Sequence, residues 1–481
     1  MPGDPGVPST VSPTQWKAFA PRVGLAWSPS VSDGVLGKIL GGSNKTSIRA
    51  AYGIYYLGPA DLGNFTLIGD APFGLYWAST APPELDTPFV TRSTGQSQGE
   101  RFPYTFPVIG SAANANLNFA QYYPMYEFTY YDRNKLTYAE HYNFSIQRQL
   151  SASTVLTIAY VGTQSHHVQA TLYPGEGSAS LCQQLNAEGA TPACGPGSET
   201  STFTLPNGSQ VYGTLMPVGN SALGLAPLNN QALGQTYHTV VYGPSAWLAN
   251  IGNSNYNALQ VTAQRRARDV TFLIAYTYSK SIDDYNGPLN PTNFAPSRVL
   301  SPFDLTHNFV ASYTWEIPFD RALGAWPKRL TQGWTISGIS RFSTGFPVTL
   351  SQGNDNALTA INLDVPFVTG PVVTQNPRNA GPNGPNTYFL PGSFAAEAVG
   401  QLGNAAVRFF HGPGIINTDF GASKSIAINE RMSIMLRGEF FNMFNHANFT
   451  GVVGNIASSE FGTATGTMPG RVGQVSGKFI F

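Results

Sequence analysis

The sequence predicts an all-β chain: an antiparallel transmembrane β-barrel with short turns at one end and long loops at the other. Three observations predict it. Segments of alternating apolar and polar residues recur from about residue 21 to the C-terminus. Charged residues make up only 11% of the chain and aromatics 12%, with 23 Tyr and 30 Phe, whereas ordinary soluble domains carry about 25% charge. The links between segments alternate between very short and very long, and loops beyond about 12–15 residues are uncommon in compact soluble domains.

The bulk numbers narrow the class further. No stretch approaches the roughly 18 apolar residues of a membrane helix; the densest run, Val270 to Tyr278, is too short. A barrel strand needs only about 9–11 residues with one apolar face. The net charge of zero argues against a nucleic-acid partner. With 51 Gly and 36 Pro, the chain falls below the composition of wholesale disorder. Residues Met1 to Pro8 lack the basic region and apolar core of a signal peptide. Either the membrane reading fails or the true N-terminus lies upstream.

Eleven segments read as strands: 21–28, 46–56, 138–149, 153–162, 255–265, 269–280, 305–317, 333–342, 415–427, 431–442 and 471–481. In the second, Ile48, Ala50, Tyr52, Ile54 and Tyr56 oppose Ser47 and Arg49. In the third, Tyr142, Phe144 and Ile146 oppose Asn143, Ser145 and Gln147. In the sixth, Val270, Phe272, Ile274, Tyr276 and Tyr278 oppose Thr271, Thr277 and Ser279. In the tenth, Met432, Ile434, Leu436 and Phe440 oppose Ser433, Arg437 and Glu439. In the last, Val475, Phe479 and Phe481 oppose Gln474, Ser476 and Lys478. Further strand candidates are Met125–Tyr131 and Val365–Thr369.

Tight turns fall at Ser151-Ala152, Arg266 to Arg268 and Asn429 to Arg431, and moderate ones over about 29–45 and 318–332. Long loops cover 57–137, 163–254, 281–304, 343–414 and 443–470. Short periplasmic turns and long extracellular loops are the outer-membrane pattern. On it the last strand runs inward and ends at Phe481. Counting back, the chain begins outside, so residues 1–20 read as the remnant of an extracellular loop and 21–481 as barrel. Eleven is odd, whereas single-chain bacterial barrels have even counts; a larger barrel is implied.

No catalytic motif is present: no Gly-x-Ser-x-Gly, no phosphate-binding loop with Lys, no His-Glu-x-x-His, no Cys-x-x-Cys. No cofactor is called for. His166-His167 lacks further metal ligands nearby and reads as a solvated loop. Asp283-Asp284 fits a rim Ca²⁺ ligand or, more simply, a capped turn. Arg437, Glu439 and Lys478 are lumen-facing candidates, lining a solute path or bracing the wall. Cys182 and Cys194 are the only cysteines; an oxidising compartment favours a disulfide over two free thiols. The aromatic run Tyr122–Tyr131 fits ligand stacking or an interfacial girdle. Phe479 and Phe481 fit a signal for the barrel assembly machinery.

Phe19 to Trp27, Lys45 to Tyr56, Tyr256 to Val261, Tyr276 to Asp283, His307 to Phe319, Arg437 to His446 and the terminal strand together resemble Oar-like TonB-dependent transporters. The motifs are collinear, and the resemblance covers nearly all the expected strands. It implies the C-terminal part of a 22-stranded barrel set in outer-membrane lipid, importing an unknown bulky extracellular solute. An N-terminal plug, absent from this sequence, would engage the TonB complex. Two rival readings stand beside it: a self-contained porin or adhesin of about 12 strands, and a secreted all-β binding protein.

Overall fold

The computed structural model describes residues 14–31, 33–42, 45–58, 128–130, 134–173, 176–199, 201–214, 246–284, 295–361, 363–381 and 384–481. Eleven strands form the path of one large sheet: β1 (Arg22–Trp27), β2 (Thr46–Leu57), β3 (Thr137–Ser151), β4 (Thr154–Leu172), β5 (Ala246–Arg266), β6 (Val270–Asp283), β7 (His307–Ile317), β8 (Trp334–Ser343), β9 (Ile415–Ala427), β10 (Ser433–Phe441) and β11 (Val472–Ile480). Each pairs antiparallel with its neighbour in sequence, so the sheet is an up-and-down meander with β1 and β11 at its two ends. Each strand overlaps an expected segment.

The register carries one pattern across the whole sheet. Residues directly opposite each other share a face. Starting from Glu439, that face runs through Gly421, Ser337, Thr314, Thr271 and Arg266, and on β3 it carries Gln147, Ser145 and Asn143. The other face carries Leu436, Phe420, Phe342, Phe309, Tyr276, Ile158 and Phe144. A period of two on each strand, kept in register by antiparallel pairing, gives a wall with one mostly polar and one mostly apolar side, although Leu273, Ile339 and Phe441 fall on the polar one. Tyr142 and Tyr160 both donate to Asn257 Oδ1 on the apolar side (3.1 and 2.6 Å). The Tyr142 ring lies where a Cβ on Gly162 would sit.

Two strands run past the expected ends. β4 continues to Leu172 and β5 starts at Ala246, so their connection is shorter than 163–254. Residues 163–167 are polar on both sides, and beyond the bulge Val168, Ala170 and Leu172 alternate with Gln169 and Thr171, with Ala170 and Leu172 buried. Alternation is therefore interrupted before the strand ends. A bulge lies between His166 and Val168, where His167 takes φ 55°. At 21 residues β5 is about twice the length that spans a bilayer.

Of the extra strand candidates, Phe128–Tyr130 forms a short strand parallel to β5, and Phe367–Val368 pairs with Phe394–Ala395. The rest of 122–131 lies outside the described residues. The packed apolar core sits in the loops. One cluster joins Leu185, Phe203, Leu205 and Val211 to Leu358 of another loop. A second joins Val348, Leu350, Phe389, Phe394, Val407 and Phe461. Together they form a cap on the loop end of the wall. No described helix is long and apolar enough to cross a membrane, which says nothing of strands.

Candidate functional site

On the polar face of the wall, charges collect near the middle of the last strands. Arg437 and Glu439 are two residues apart on β10 and therefore side by side. Their Nη2 and Oε1 lie 2.5 Å apart. Gln474 of β11 donates to the second oxygen of Glu439 at 2.7 Å. Gln264, Arg266, Asp419, Arg437 and Glu439 line an open concavity of about 430 Å³. Asp419 is held in place from outside its strand, accepting from the Asn442 backbone N–H at 2.9 Å. Lys478 shares this face, opposite Met435. Phe479 stands on the apolar face opposite Ile434, with its ring stacked on Phe481 at 6.0 Å.

The cap is built differently. Helix α1 (Ala179–Ala187) is capped by Ser178, whose hydroxyl accepts from the Leu181 N–H. Cys182 on that helix is disulfide-bonded to Cys194. Asn186 clamps the same loop, donating to the Cys194 carbonyl and accepting from its N–H.

Beside this unit the chain buries five carboxylates: Glu176, Glu199, Asp355, Asp364 and Glu397. Asp355 accepts from the Thr359 N–H (2.9 Å), and Asp364 from the Ala357 N–H (2.8 Å). Glu397 accepts from the Gly403 N–H at 2.6 Å, but its other oxygen is buried with no donor in reach. Burial, and then the charge of Asp355, pushes Glu176 up to about 8. Burial raises Asp364, Glu397 and Glu199 as well. Glu397 faces Asp364, and Glu199 faces Asp355, each at hydrogen-bonding distance. Such a contact needs a proton on one carboxyl, and a proton on Asp364 supplies the donor that Glu397 lacks. Among the described residues no three His, Cys, Asp or Glu side chains are arranged to hold a metal ion.

This cluster was not legible in the sequence. Its members come from separate stretches of two long loops, and no spacing links them. The other polar candidates are engaged singly. His166 Nδ1 lies 3.1 Å from Asn253 Oδ1. Asp283 is buried against Arg408 at 3.7 Å, and Asp284 accepts from the Asn253 N–H. Missed by sequence reasoning, His411 Nε2 lies 2.7 Å from buried Asp304 and pins the cap to the top of β6 and β7.

Residues 1–474 match the family described as an outer membrane β-barrel domain. The chain belongs to that family. It is a protein of the bacterial outer membrane. No curated protein matches the chain. Among solved structures it is similar to the outer membrane transporter YddB from Escherichia coli (10% identity, TM-score 0.41, 91% of this chain and 39% of that one). It is similar also to the FrpB iron transporter from Neisseria meningitidis (11%, 0.39, 95% and 38%). A third is the ferripyoverdine receptor of Pseudomonas aeruginosa (10%, 0.37, 96% and 33%). The chain thus spans well under half the length of each. The family assignment rests on the barrel-domain match and the two-faced wall.

Proposed function

We propose that this chain forms the C-terminal wall and extracellular cap of an Oar-like TonB-dependent transporter that imports a bulky solute. The observation that carries the reading is the two-sided wall. A mostly polar face with the Arg437–Glu439 ion pair and Asp419 beside it suits a lumen, and the mostly apolar, aromatic face opposite suits lipid. The collinear sequence motifs support the transporter subtype. On this reading Arg437, Glu439 and Lys478 face the lumen, residues 14–20 are extracellular, and β1 and β11 join further strands. Open strand edges cost several kcal/mol per unpaired group in lipid and do not persist there. A plug and the TonB complex would supply gating and energy. Phe479 and Phe481 would serve the assembly machinery.

The test is uptake. Cells carrying the intact gene and cells deleted for it are offered a panel of bulky solutes, with and without a protonophore. The reading expects a solute whose uptake needs both the gene and the proton gradient. Uptake that needs the gene but ignores the gradient would overturn it in favour of a passive pore.

A further inference from the structure

Between β7 and β8 the chain does not turn tightly. It forms an elbow of two helical turns, Phe319–Ala322 and Lys328–Thr331. The elbow folds against the apolar side of the wall. The Phe319 ring packs edge-on to Trp334 at 6.3 Å, and Trp334 Nε1 donates to the Leu330 carbonyl at 2.8 Å. Lys424, on the same side of β9 opposite Trp334, donates to the carbonyls of Leu330 and Gln332. What the elbow leaves uncovered is a pairing of two chemistries. Trp326 is 59% exposed, Leu330 57% and Leu323 43%. Arg321, Lys328 and Arg329 are exposed beside them, and none pairs with a carboxylate among the described residues.

The elbow continues a wider asymmetry. At the turn end of the apolar face, register places Arg148, Arg265 and Lys424. No acidic residue stands there among the described strand residues. At the loop end of that face, Glu140 and Lys280 balance. The elbow's single acid, Asp320, is engaged by Gln332 at 3.1 Å. A net positive charge ending a lipid-facing apolar band at one leaflet, with Trp and Leu exposed beside it, matches anionic headgroups above acyl chains.

We propose that the elbow is a docking surface for anionic phospholipid, with Trp326 and Leu330 among the acyl chains and Arg321, Lys328 and Arg329 on the headgroup phosphates. The source is the periplasmic leaflet, a placement that rests on the turns being periplasmic.

The test uses the full-length protein extracted from outer membranes. Native mass spectrometry measures retention of phosphatidylglycerol, phosphatidylcholine and lipid A, each offered alone. Phosphatidylglycerol should be retained best. Retention should fall about fivefold for each cation removed in Arg321→Gln, Lys328→Gln and Arg329→Gln, combined stepwise. Arg378→Gln, in the cap, should change nothing. In nanodiscs, brominated phosphatidylglycerol should quench the wild type more than Trp326→Phe. Equal retention of the two phospholipids, or a triple variant that binds like wild type, would overturn the proposal. Preference for lipid A through the same three cations would overturn it too, by moving the elbow to the other leaflet. None of these outcomes bears on whether a solute is imported.

Discussion

The wall and the cap solve opposite problems with one chain. Most of the wall's side chains are not buried, and those that are, such as Ala170, Leu172, Ala249, Ser281 and Asp283, cluster near its loop end. Strands β1 and β11 are exposed throughout, and Phe144, Ile158 and Phe342 are more than 40% exposed on the apolar face. Its burial is supplied from outside. The cap buries Phe203, Phe389, Leu350 and Leu358 completely within itself, as a small water-soluble domain does. The wall should therefore fail when lipid-facing residues change, and the cap when its internal contacts do, each independently of the other.

The most damaging single change expected is Phe389→Ala. Its ring meets Phe394, Phe410 and Phe461 edge-to-face at 5.5, 5.4 and 5.0 Å. Emptying such a site costs about 3–5 kcal/mol. Protease added to intact cells should cut the 344–414 loop much faster, while heat-modifiable migration of the barrel stays as in wild type. Loss of barrel assembly as well would join the two regions into one folding unit.

Breaking the Cys182–Cys194 bond should come next, at about 3 kcal/mol by the chain-entropy argument. Cys182→Ser with Cys194→Ser should raise amide exchange across 176–214 and leave 433–480 unchanged. Protection unchanged in both regions would show that the Asn186 clamp and Phe203 hold this loop without the bond.

Legibility divides along the same line. Each strand of the wall was visible because lipid on one side and water on the other impose a period of two that eleven residues already display. It faded at 163–167, where both faces are polar and a bulge follows. In the cap nothing local distinguishes Asp364 from a solvated loop aspartate. Its burial depends on Glu397 and Asp355, which come from elsewhere in the same loop. The charged group on the wall was partly visible, since Arg437 and Glu439 share a face by spacing alone. Asp419 joins them only through strand order.

The buried carboxylates make the cap sensitive to pH. Glu176 sits at about 8, and Asp364, Glu397 and Glu199 are raised by burial. An unfolded carboxyl titrates near 4. A folded pKa above the unfolded one means that the folded cap binds the extra proton. The stabilisation from such a group is complete below about pH 4 and drains away as pH rises through its folded pKa, for Glu176 toward about 8, by up to about 1.4 kcal/mol per pH unit. Amide exchange of 355–403 should quicken between pH 5 and pH 8 beyond the intrinsic chemical rate. Asp364→Asn, which keeps a donor toward Glu397, should flatten that rise. A rise of equal steepness in the variant would remove the shared proton as its cause.

The smallest effect, and the sharpest test of the wall's handedness, lies at adjacent residues of β11. Phe479 faces Ile434 on the apolar side, while Lys478 faces Met435 on the polar side. An arginine on the lipid side costs about 2–4 kcal/mol at the bilayer midplane and about 0–1 near the interface. Residue 479 is one position from the end of β11 at Ile480, where the lower figure applies. Phe479→Arg should therefore reduce the amount of barrel in the membrane modestly, and more than Lys478→Glu does. Part of the loss would come through recognition of the terminal aromatic by the assembly machinery. Phe479→Tyr separates the two causes, since it keeps an aromatic ring and adds no charge. If Lys478→Glu proves the more harmful of the pair, the faces have been assigned the wrong way round, and Arg437 and Glu439 point at lipid.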